Sequence, residues 1–332
     1  MELTGRRTLM KAVVCPSYGP PEVLAVKLVQ KPVPADDEVL IKVHATTVNR
    51  TDTATLNAHP FITRLFYGIF RPKHPILGTE FAGVVESVGM KVSSFKAGDR
   101  VFGFSETGWG AHAQYMVIPA EKAIARMPAG IPFEEAAASS EGSWYAQNFY
   151  NKLDFKAGQK ILVNGATGGI GTAAVQLGRH FGADITATCR PEHFDLVQGL
   201  GAGRCIDYTK DDFTKEPKEY DYVLDTVGKS SFGRCKPVLK SGGAYISSEL
   251  GPMSQNLFLA LFTPLFSSKK VKFPIPSDCR GSVLLTRDLV EKGKYRAVID
   301  RQYPLEDIVE AFRYVENGQK VGNVVITVGH DD

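Results

Sequence analysis

The sequence predicts an α/β protein that combines a doubly wound parallel sheet with a second domain rich in short β-strands. From about residue 140, short apolar runs alternate with helical patterns, which is typical of parallel strands joined by crossover helices. A glycine cluster at 164–171 joins the first of these runs to the first helix. The length of 332 residues corresponds to about two domains of ordinary size.

The segment 10–130 is dense in short β-like runs separated by glycine, proline and aspartate turn signals. Val39–Val43, Gly83–Val88 and Gln114–Ile118 are examples. This spacing predicts a small β-rich domain, organised as a partly open barrel. Residues 1–9 are polar and basic, and we expect them to form a disordered leader.

The alternating segment opens with an apolar run at 160–164, and the helix after the glycine cluster repeats its apolar residues every 3.6 positions. Near the end of the chain, an amphipathic helix at 305–316 and a closing strand at 324–328 return to the style of the first domain. We therefore expect the tail to pack back onto that domain. The expected boundaries are 10–135 with 275–332 for the β-rich domain, and 136–274 for the parallel-sheet domain.

Composition and charge exclude several classes of protein. The 39 Lys and Arg against 36 Asp and Glu leave a net charge of +3, too small to indicate nucleic-acid binding. The five cysteines are scattered and form no CxxC pair, which argues against disulfides and favours a reducing cytoplasm. The longest apolar run, Leu257–Phe262, is far shorter than the ~20 residues of a spanning helix, so we expect no stable membrane insertion.

The glycine cluster reads Asn-Gly-Ala-Thr-Gly-Gly-Ile-Gly and predicts a dinucleotide site. Ala166 occupies the first glycine position of the usual fingerprint, so the bare pattern is incomplete, but strand, glycines and helix stand in the right order. Glycine lets backbone N–H groups approach a pyrophosphate at a helix N-terminus, where the dipole favours negative charge. The candidate contacts are Ala166, Thr167, Gly168, Gly169, Ile170 and Gly171.

The end of the second strand predicts which dinucleotide is used. A site that prefers NAD places an acid there for the ribose 2′-hydroxyl. This chain has Arg190 instead, whose guanidinium suits a 2′-phosphate, so NADP(H) is favoured. The alternative is an ordinary surface arginine. Glu192 is close by, and we interpret it as a first-turn acid of the next helix.

Several motifs in the right order resemble those of a known family. They are Met10-Lys11-Ala12-Val13, Asn49-Arg50-Thr51-Asp52, Gly78–Gly83, Gly98–Val101, the glycine cluster, Asp225–Gly228 and Gly322–Ile326. The chain resembles a zinc-free medium-chain dehydrogenase/reductase of the quinone oxidoreductase (zeta-crystallin-like) branch. The resemblance implies a Rossmann domain, a GroES-like barrel domain and a homodimer formed through an edge strand near residues 243–248.

The resemblance also allows the question of a metal to be asked by position. The zinc-dependent branch has Cys where this chain has Asn49 and His where it has Thr79, and neither replacement is a useful zinc ligand. The four-cysteine lobe of those enzymes is missing as well. We expect no metal, and we interpret His112 as a packed or solvent-facing histidine.

In the family, Asn49 and Asp52 lie near the nicotinamide, which makes them candidate catalytic residues. Tyr67, in an aromatic loop that borders the substrate site, is a candidate proton donor. Glu80 has a structural role near the site. The resemblance adds three cofactor contacts, namely Tyr208, Val227 and Asn323.

The activity implied by the resemblance is hydride transfer from NADPH to a quinone, a small apolar or aromatic carbonyl acceptor. An enone or alkenal double-bond reductase on the same scaffold is the alternative, and a cofactor-binding protein with a structural role is a third possibility. Glu141 and Trp144 depart from the family pattern where close relatives have small residues, which leaves the substrate class open. The apolar stretch that begins at Leu257 is interpreted as a border of the substrate site or as a contact with a membrane surface.

Overall fold

A computed structural model describes residues 8–59, 64–106, 109–217, 219–275 and 277–330, with the side chain of Phe66 excluded. Positions 1–7 of the expected leader lie outside the described residues, and Leu9 already belongs to the first strand. The chain divides into two compact units. The first unit comprises residues 1–141, 279–291 and 298–332, and the second comprises 142–278 and 292–297.

The first unit is built mainly on antiparallel strand pairs, with one parallel pair. Its strands are β1 (Leu9–Val14), β2 (Ala25–Gln30), β3 (Glu38–Val48), β4 (Glu80–Val88), β5 (Arg100–Phe104), β6 (Tyr115–Pro119), β7 (Ile124–Arg126), β14 (Ile299–Pro304) and β15 (Asn323–Thr327). Seven of them form one sheet in the order β14-β15-β3-β4-β5-β7, with β6 paired to β3, while β1 and β2 form a separate pair. The closing strand β15 pairs antiparallel with β3, so the tail completes the N-terminal sheet.

Five helices accompany this sheet: α1 (Arg50–Leu56), α2 (Arg64–Tyr67), α3 (Phe133–Ala137), α9 (Cys279–Glu291) and α10 (Ile308–Glu316). The core beneath them is apolar, and Phe81, Phe312 and Ile41 are among its large fully buried side chains. Helix α10 buries Ile308, Ala311, Phe312 and Val315, the residues at helical spacing that its sequence pattern predicts to face the core.

The second unit contains six parallel strands in the order β10-β9-β8-β11-β12-β13. They are β8 (Lys160–Asn164), β9 (Asp184–Cys189), β10 (Arg204–Asp207), β11 (Tyr220–Asp225), β12 (Leu239–Ser247) and β13 (Lys270–Lys272). The helices are α4 (Glu141–Asn151), α5 (Gly169–Phe181), α6 (Phe194–Leu200), α7 (Phe232–Cys235) and α8 (Gln255–Phe266). Numbered from β8, the order is 3-2-1-4-5-6, so the predicted doubly wound fold is confirmed.

The expected edge strand near residues 243–248 is not an edge. Strand β12 pairs with β13 through Ala244, Tyr245 and Ile246, so β13 is the outermost strand on that side. The sequence gives little sign of this, because β13 has only three residues and two of them are lysines. Lysines on a short outer strand discourage uncontrolled pairing with other chains.

Candidate active site and cofactor loop

The glycine loop lies between β8 and α5 in the second unit, and close packing leaves no room for side chains at two of its positions. A Cβ added to Gly171 would lie 2.1 Å from the carbonyl oxygen of Gly165. Gly165 itself has a φ of +83°, and a Cβ there would lie 2.5 Å from Cγ1 of Val227. Any larger side chain would therefore push the loop apart. Gly168, the N-cap of α5, has no side chain to cap the helix, so the first amides of this 13-residue helix are available to an anion.

A chain of buried side-chain hydrogen bonds supports the glycine loop. Thr188 Oγ1 accepts from the amide of Gly165 at 3.0 Å and donates to Asn164 Oδ1 at 2.8 Å. Asn164 Nδ2 in turn donates to Asp225 Oδ1 at 3.0 Å. Asp225 is fully buried and also accepts from Tyr245 OH at 2.9 Å, and burial together with this carboxylate raises the pKa of Tyr245. These hydrogen bonds fix the carboxyl ends of β8, β9 and β11, next to the glycine loop.

Arg190 and Tyr208 meet at the carboxyl ends of two neighbouring strands. Arg190 follows β9, Tyr208 follows β10, and the Arg190 Nε–H donates to Tyr208 OH at 3.1 Å. Both side chains are exposed, so the pair can contact a ligand. Glu192 lies in a short 3₁₀ turn before α6, 3.8 Å from Arg190 Nη1. Its carboxylate is thus a neighbour of the guanidinium rather than a first-turn acid inside α6.

Two predicted cofactor contacts are placed differently. Val227 lies directly against Gly165 in the loop, as the close approach of its methyl groups shows. Asn323 opens β15 in the first unit, where its Nδ2 and its amide both donate to the Val298 carbonyl, at 3.1 Å and 2.8 Å. The Asn323 side chain is thus occupied by backbone, and its contact with the cofactor stays a prediction.

In the first unit, Asn49 and Asp52 hold each other at the start of α1. The Asn49 Oδ1 accepts from the amide of Asp52 at 3.0 Å, and the amide of Asn49 donates to Asp52 Oδ2 at 2.9 Å, which is a capping box. Asn49 Nδ2 donates to Thr79 Oγ1 at 2.7 Å and keeps its second hydrogen for another acceptor. Burial and the nearby Glu80 raise the pKa of Asp52 well above its ordinary range.

Glu80 begins β4 and connects three segments of the first unit. Its Oε1 accepts from the amides of Ser140 and Glu141 at 3.1 Å and 2.6 Å, and its Oε2 accepts from Thr47 Oγ1 at 2.6 Å. Burial raises the pKa of Glu80, and these hydrogen bonds oppose that shift. Its contacts are to backbone and to Thr47, in keeping with the structural role expected for it.

Glu141 is the first residue of α4, and its carboxyl lies under the first turn of α1. The Thr51 hydroxyl donates to Glu141 Oε1 at 2.5 Å. Glu141 is buried, whereas Thr51 is partly exposed, so the hydroxyl links a buried carboxyl to the surface of its unit. Burial, Glu80 and Asp52 all raise the pKa of Glu141 well above its ordinary value, which favours the protonated acid.

Asp52, Glu80 and Glu141 form a carboxyl cluster, and Lys320, which no sequence pattern predicts, adds a positive charge to it. Its ammonium donates to the carbonyl of Gly322 and lies within electrostatic range of Glu141 and Glu80. Burial lowers the pKa of Lys320, and the two carboxyls oppose that shift. Lys320 is distant in sequence from both acids, so no local motif marks it; the pairing depends on β15 returning to the first sheet.

Tyr67 ends α2 and packs edge-on against Trp109, with ring centroids 5.1 Å apart. Burial raises the pKa of its phenol, which therefore stays protonated. Around it Leu65, Ile69 and Phe70 are exposed, as expected for an apolar loop, while Phe61 lies outside the described residues. No hydrogen bond given for the described residues connects Tyr67 with the carboxyl cluster, so its role as proton donor stays a prediction.

Comparison with known proteins decides the family. Two family models match the chain, "Alcohol dehydrogenase GroES-like domain" over residues 35–129 and "Zinc-binding dehydrogenase" over residues 200–326. A 2-methylene-furan-3-one reductase of Solanum lycopersicum is 32% identical, with 96% of this chain and 79% of the relative covered. Human quinone oxidoreductase is 31% identical, with coverages of 95% and 96%. This chain belongs to the medium-chain dehydrogenase/reductase superfamily, in its quinone oxidoreductase branch.

The fold of this oxidoreductase has close structural relatives. The quinone oxidoreductase of Coxiella burnetii superposes with a TM-score of 0.85 at 25% identity, covering 97% of this chain and 100% of that one. The NADPH-dependent alkenal/one oxidoreductase of Arabidopsis thaliana is 32% identical over 96% of this chain and 79% of its own length. The α/β fold with a GroES-like domain is thereby confirmed.

The ligand positions of the family's zinc-dependent members hold different chemistry here. Asn49 and Thr79 are hydrogen-bonded to each other. His112 is fully buried, its Nε2 lies 2.8 Å from the carbonyl of Thr47, and burial lowers its pKa to about 4. This is a packed histidine, one of the two expected readings. Among the described residues no group of three or more His, Cys, Asp or Glu could hold a metal ion.

Trp144, the other departure from the family pattern, is buried in the second unit of this oxidoreductase. Its indole Nε1–H donates to the carbonyl of Ser277 at 3.2 Å, and its ring packs against Tyr145 with centroids 4.9 Å apart. Four residues further along α4, the Asn148 side chain donates to the carbonyl of Trp144 and accepts from the amide of Ser277. Trp144 thus ties α4 to the segment before α9.

Proposed function

We propose that this protein transfers hydride from NADPH to a quinone, without a metal. The observation that carries the choice of cofactor is the Arg190–Tyr208 pair, which offers a guanidinium and a phenol for a 2′-phosphate at the position where NAD-specific sites carry an acid. The names of related quinone and NADPH-dependent oxidoreductases support the same activity.

The residues of the second unit fit NADPH as a bound group. Ala166, Thr167, Gly168, Gly169, Ile170 and Gly171 would hold the pyrophosphate at the start of α5, Arg190 and Tyr208 the 2′-phosphate, and Val227 one side of the loop. Because Gly171 leaves no room for a Cβ against the Gly165 carbonyl, the loop can turn tightly at the start of α5, as such an approach requires. When bound, NADPH supplies the hydride, and the protein supplies position and protons.

The proposal that no metal takes part is based on the chemistry of the side chains at two positions. An amide and a hydroxyl bonded to each other, Asn49 and Thr79, make poor zinc ligands. A quinone or an activated alkene accepts hydride without a Lewis acid if it is oriented and hydrogen-bonded. Asn49 retains one amide hydrogen that can donate to such an oxygen, and Asp52 holds Asn49 in place through the capping box.

The reduced acceptor also needs a proton, and the Thr51–Glu141 pair is suited to supply one. In this step the protonated Glu141 carboxyl would donate to Thr51 Oγ1, the reverse of the resting hydrogen bond, while the Thr51 hydroxyl gives its own proton to the acceptor oxygen. The nearby ammonium of Lys320 stabilises the carboxylate that remains until water protonates it again. The Tyr67 phenol is the other candidate donor.

The alternative acceptor is an enone or alkenal. It is favoured by the names of two relatives, an alkenal/one oxidoreductase and a 2-methylene-furan-3-one reductase. The third possibility, a cofactor-binding protein with a structural role, requires NADPH binding with negligible turnover. We also propose a cytoplasmic homodimer.

The deciding experiment follows NADPH consumption under low oxygen with chelator present, with a small ortho-quinone in one arm and an α,β-unsaturated ketone in the other. Faster turnover with the quinone is expected. Preference for the enone would select the alternative. Binding of NADPH, followed by its fluorescence, without consumption in either arm would overturn the enzymatic function and leave the structural role.

A further inference from the structure

Helix α8 of the second unit presents an apolar face to solvent. Its six outward residues lie at helical spacing on one side and are each between 41% and 83% exposed: Leu257, Phe258, Leu261, Phe262, Leu265 and Phe266. Met253, in the turn before the helix, is 95% exposed. Six neighbouring leucines and phenylalanines form a far larger apolar patch than the scattered apolar residues of an ordinary protein surface.

The opposite side of α8 is well anchored, so the exposed face does not reflect a misplaced helix. Asn256 Nδ2 donates to the carbonyl of Glu249 at 2.8 Å. Thr263 Oγ1 accepts from the amide of Val271 at 2.9 Å, which ties the helix to β13. Leu259 and Ala260 pack against the core of the unit. The helix thus has a fixed inner side, and its outer side is left for a partner.

The charged residues close to α8 in the sequence are mostly basic. Residues 226–278 contain seven Lys or Arg and two Asp or Glu, although the whole chain has a net charge of only +3. The stretch from Leu250 to Ser268 has no charged residue, and Lys269 and Lys270 follow it directly. The Lys269 ammonium donates to the backbone carbonyl of Lys236 at 2.8 Å, so the turn that carries Lys236 lies close to Lys269.

The apolar face and the lysines beside it allow a choice between two partners, a second copy of this chain and an anionic bilayer. In a two-fold dimer the same patch meets its own copy, and a patch bordered mainly by lysines then brings like charges together. An anionic bilayer offers acyl chains to the leucines and phenylalanines and negative headgroups to the lysines. We propose that the α8 face docks the second unit onto an anionic lipid surface, with the helix lying in the plane of the interface.

The length of the helix sets the depth of this contact. Twelve residues at 1.5 Å each span about 18 Å, against about 30 Å for the hydrocarbon core. Within the described part of the chain, no helix is long and apolar enough to cross a membrane. The contact is therefore peripheral and reversible, and it does not depend on the proposed activity.

Flotation with lipid vesicles tests the proposal on the full chain. The protein is mixed with phosphatidylcholine vesicles, with or without about a third phosphatidylglycerol, at low and high salt. We expect it to float with the anionic vesicles, and to be released by high salt because the lysine contribution is screened. The double substitution L261E/L265E should lower vesicle binding at least about tenfold.

The chain offers a matched control. Leu28 on β2 of the first unit is 67% exposed, as is Leu261, so L28E matches L261E, one of the two changes, in both charge and exposure. L28E should bind vesicles like the wild type, whereas Lys236→Glu, which reverses a charge beside the face, should lower binding about tenfold. An unchanged melting temperature would confirm that each variant is folded.

Three results would overturn the proposal. The first is absence of flotation with anionic vesicles, and the second is an equal loss in L28E. The third is a wild-type dimer that becomes monomeric in L261E/L265E without vesicle binding, measured by analytical ultracentrifugation. That last outcome would assign the face to a second copy of the chain.

Discussion

The glycine loop of the second unit and the carboxyl cluster of the first unit are both built to handle charge, but in opposite ways. At the loop, backbone amides would bind the ligand, and steric limits decide which residues fit. A Cβ at Gly171, for example, would lie 2.1 Å from the Gly165 carbonyl oxygen. In the cluster, the charge is carried by the side chains of Asp52, Glu80 and Glu141. Burial and their mutual repulsion determine their protonation. The first arrangement tolerates almost no added volume, whereas the second is sensitive to pH.

The largest effect is expected from Gly171→Ala. The new methyl group would collide with backbone rather than with a movable side chain, so the loop must open. NADPH affinity should fall at least about 100-fold, as measured by the fluorescence of bound NADPH. Gly199 in α6 is the control, because a Cβ there meets nothing within 4 Å, and alanine should stabilise the helix slightly. Normal NADPH binding by Gly171→Ala would contradict the space argument.

Glu141→Gln should lower kcat about 100-fold, the usual contribution of a general acid, with little change in NADPH binding. Thr51→Val should reproduce the loss, and Thr51→Ser should restore activity. If Glu141 were only structural, the serine and valine variants would not differ in kcat.

The same substitution should change how stability depends on pH. The pKa of Glu141 is raised above its ordinary value of 4.5, so folding stability is fully present below that value and falls as pH rises toward the folded pKa. Glu141→Gln removes this part of the decline. Urea unfolding at pH 5 and pH 8 should therefore show a smaller drop for the variant. A drop equal to that of the wild type would mean that Glu141 is ionised throughout.

Arg190→Ala should weaken NADPH binding about 10- to 100-fold by the loss of charge-assisted hydrogen bonds, and leave NADH binding nearly unchanged. Lys210→Ala, beside Tyr208 and highly exposed, serves as the control for general loss of positive charge. Removing the neighbouring acid with Glu192→Gln should strengthen NADPH binding slightly. An equal effect of Arg190→Ala on both cofactors would contradict the assignment.

The smallest effect, none at all, is expected from a chelator. Because Asn49 and Thr79 satisfy each other, prolonged dialysis against a chelator should change neither the melting temperature nor NADPH consumption. Loss of activity that zinc restores would show that another set of ligands exists.

The same contrast explains how much could be predicted from the sequence. The fold class, the glycine loop and the place of Arg190 after the second strand follow from local patterns, because strand ends and helix starts are marked by nearby residues. Tyr208 was named only through the family resemblance, and its contact with Arg190 appears in the structure alone. The Thr51–Glu141 contact and Lys320 join positions far apart in the chain, so no spacing rule reaches them. Strand β13 was missed for a different reason, since three residues carry too short a pattern.

The capping box at Asn49 has an evolutionary consequence. A zinc-dependent pattern would need cysteine at 49 and histidine at 79, and the first change removes the side chain that caps α1. Loss of an N-cap costs about 1 kcal/mol before any ligand is gained. Asn49→Cys alone is therefore unfavourable. The helix that begins at this position thus disfavours the stepwise gain of a metal site.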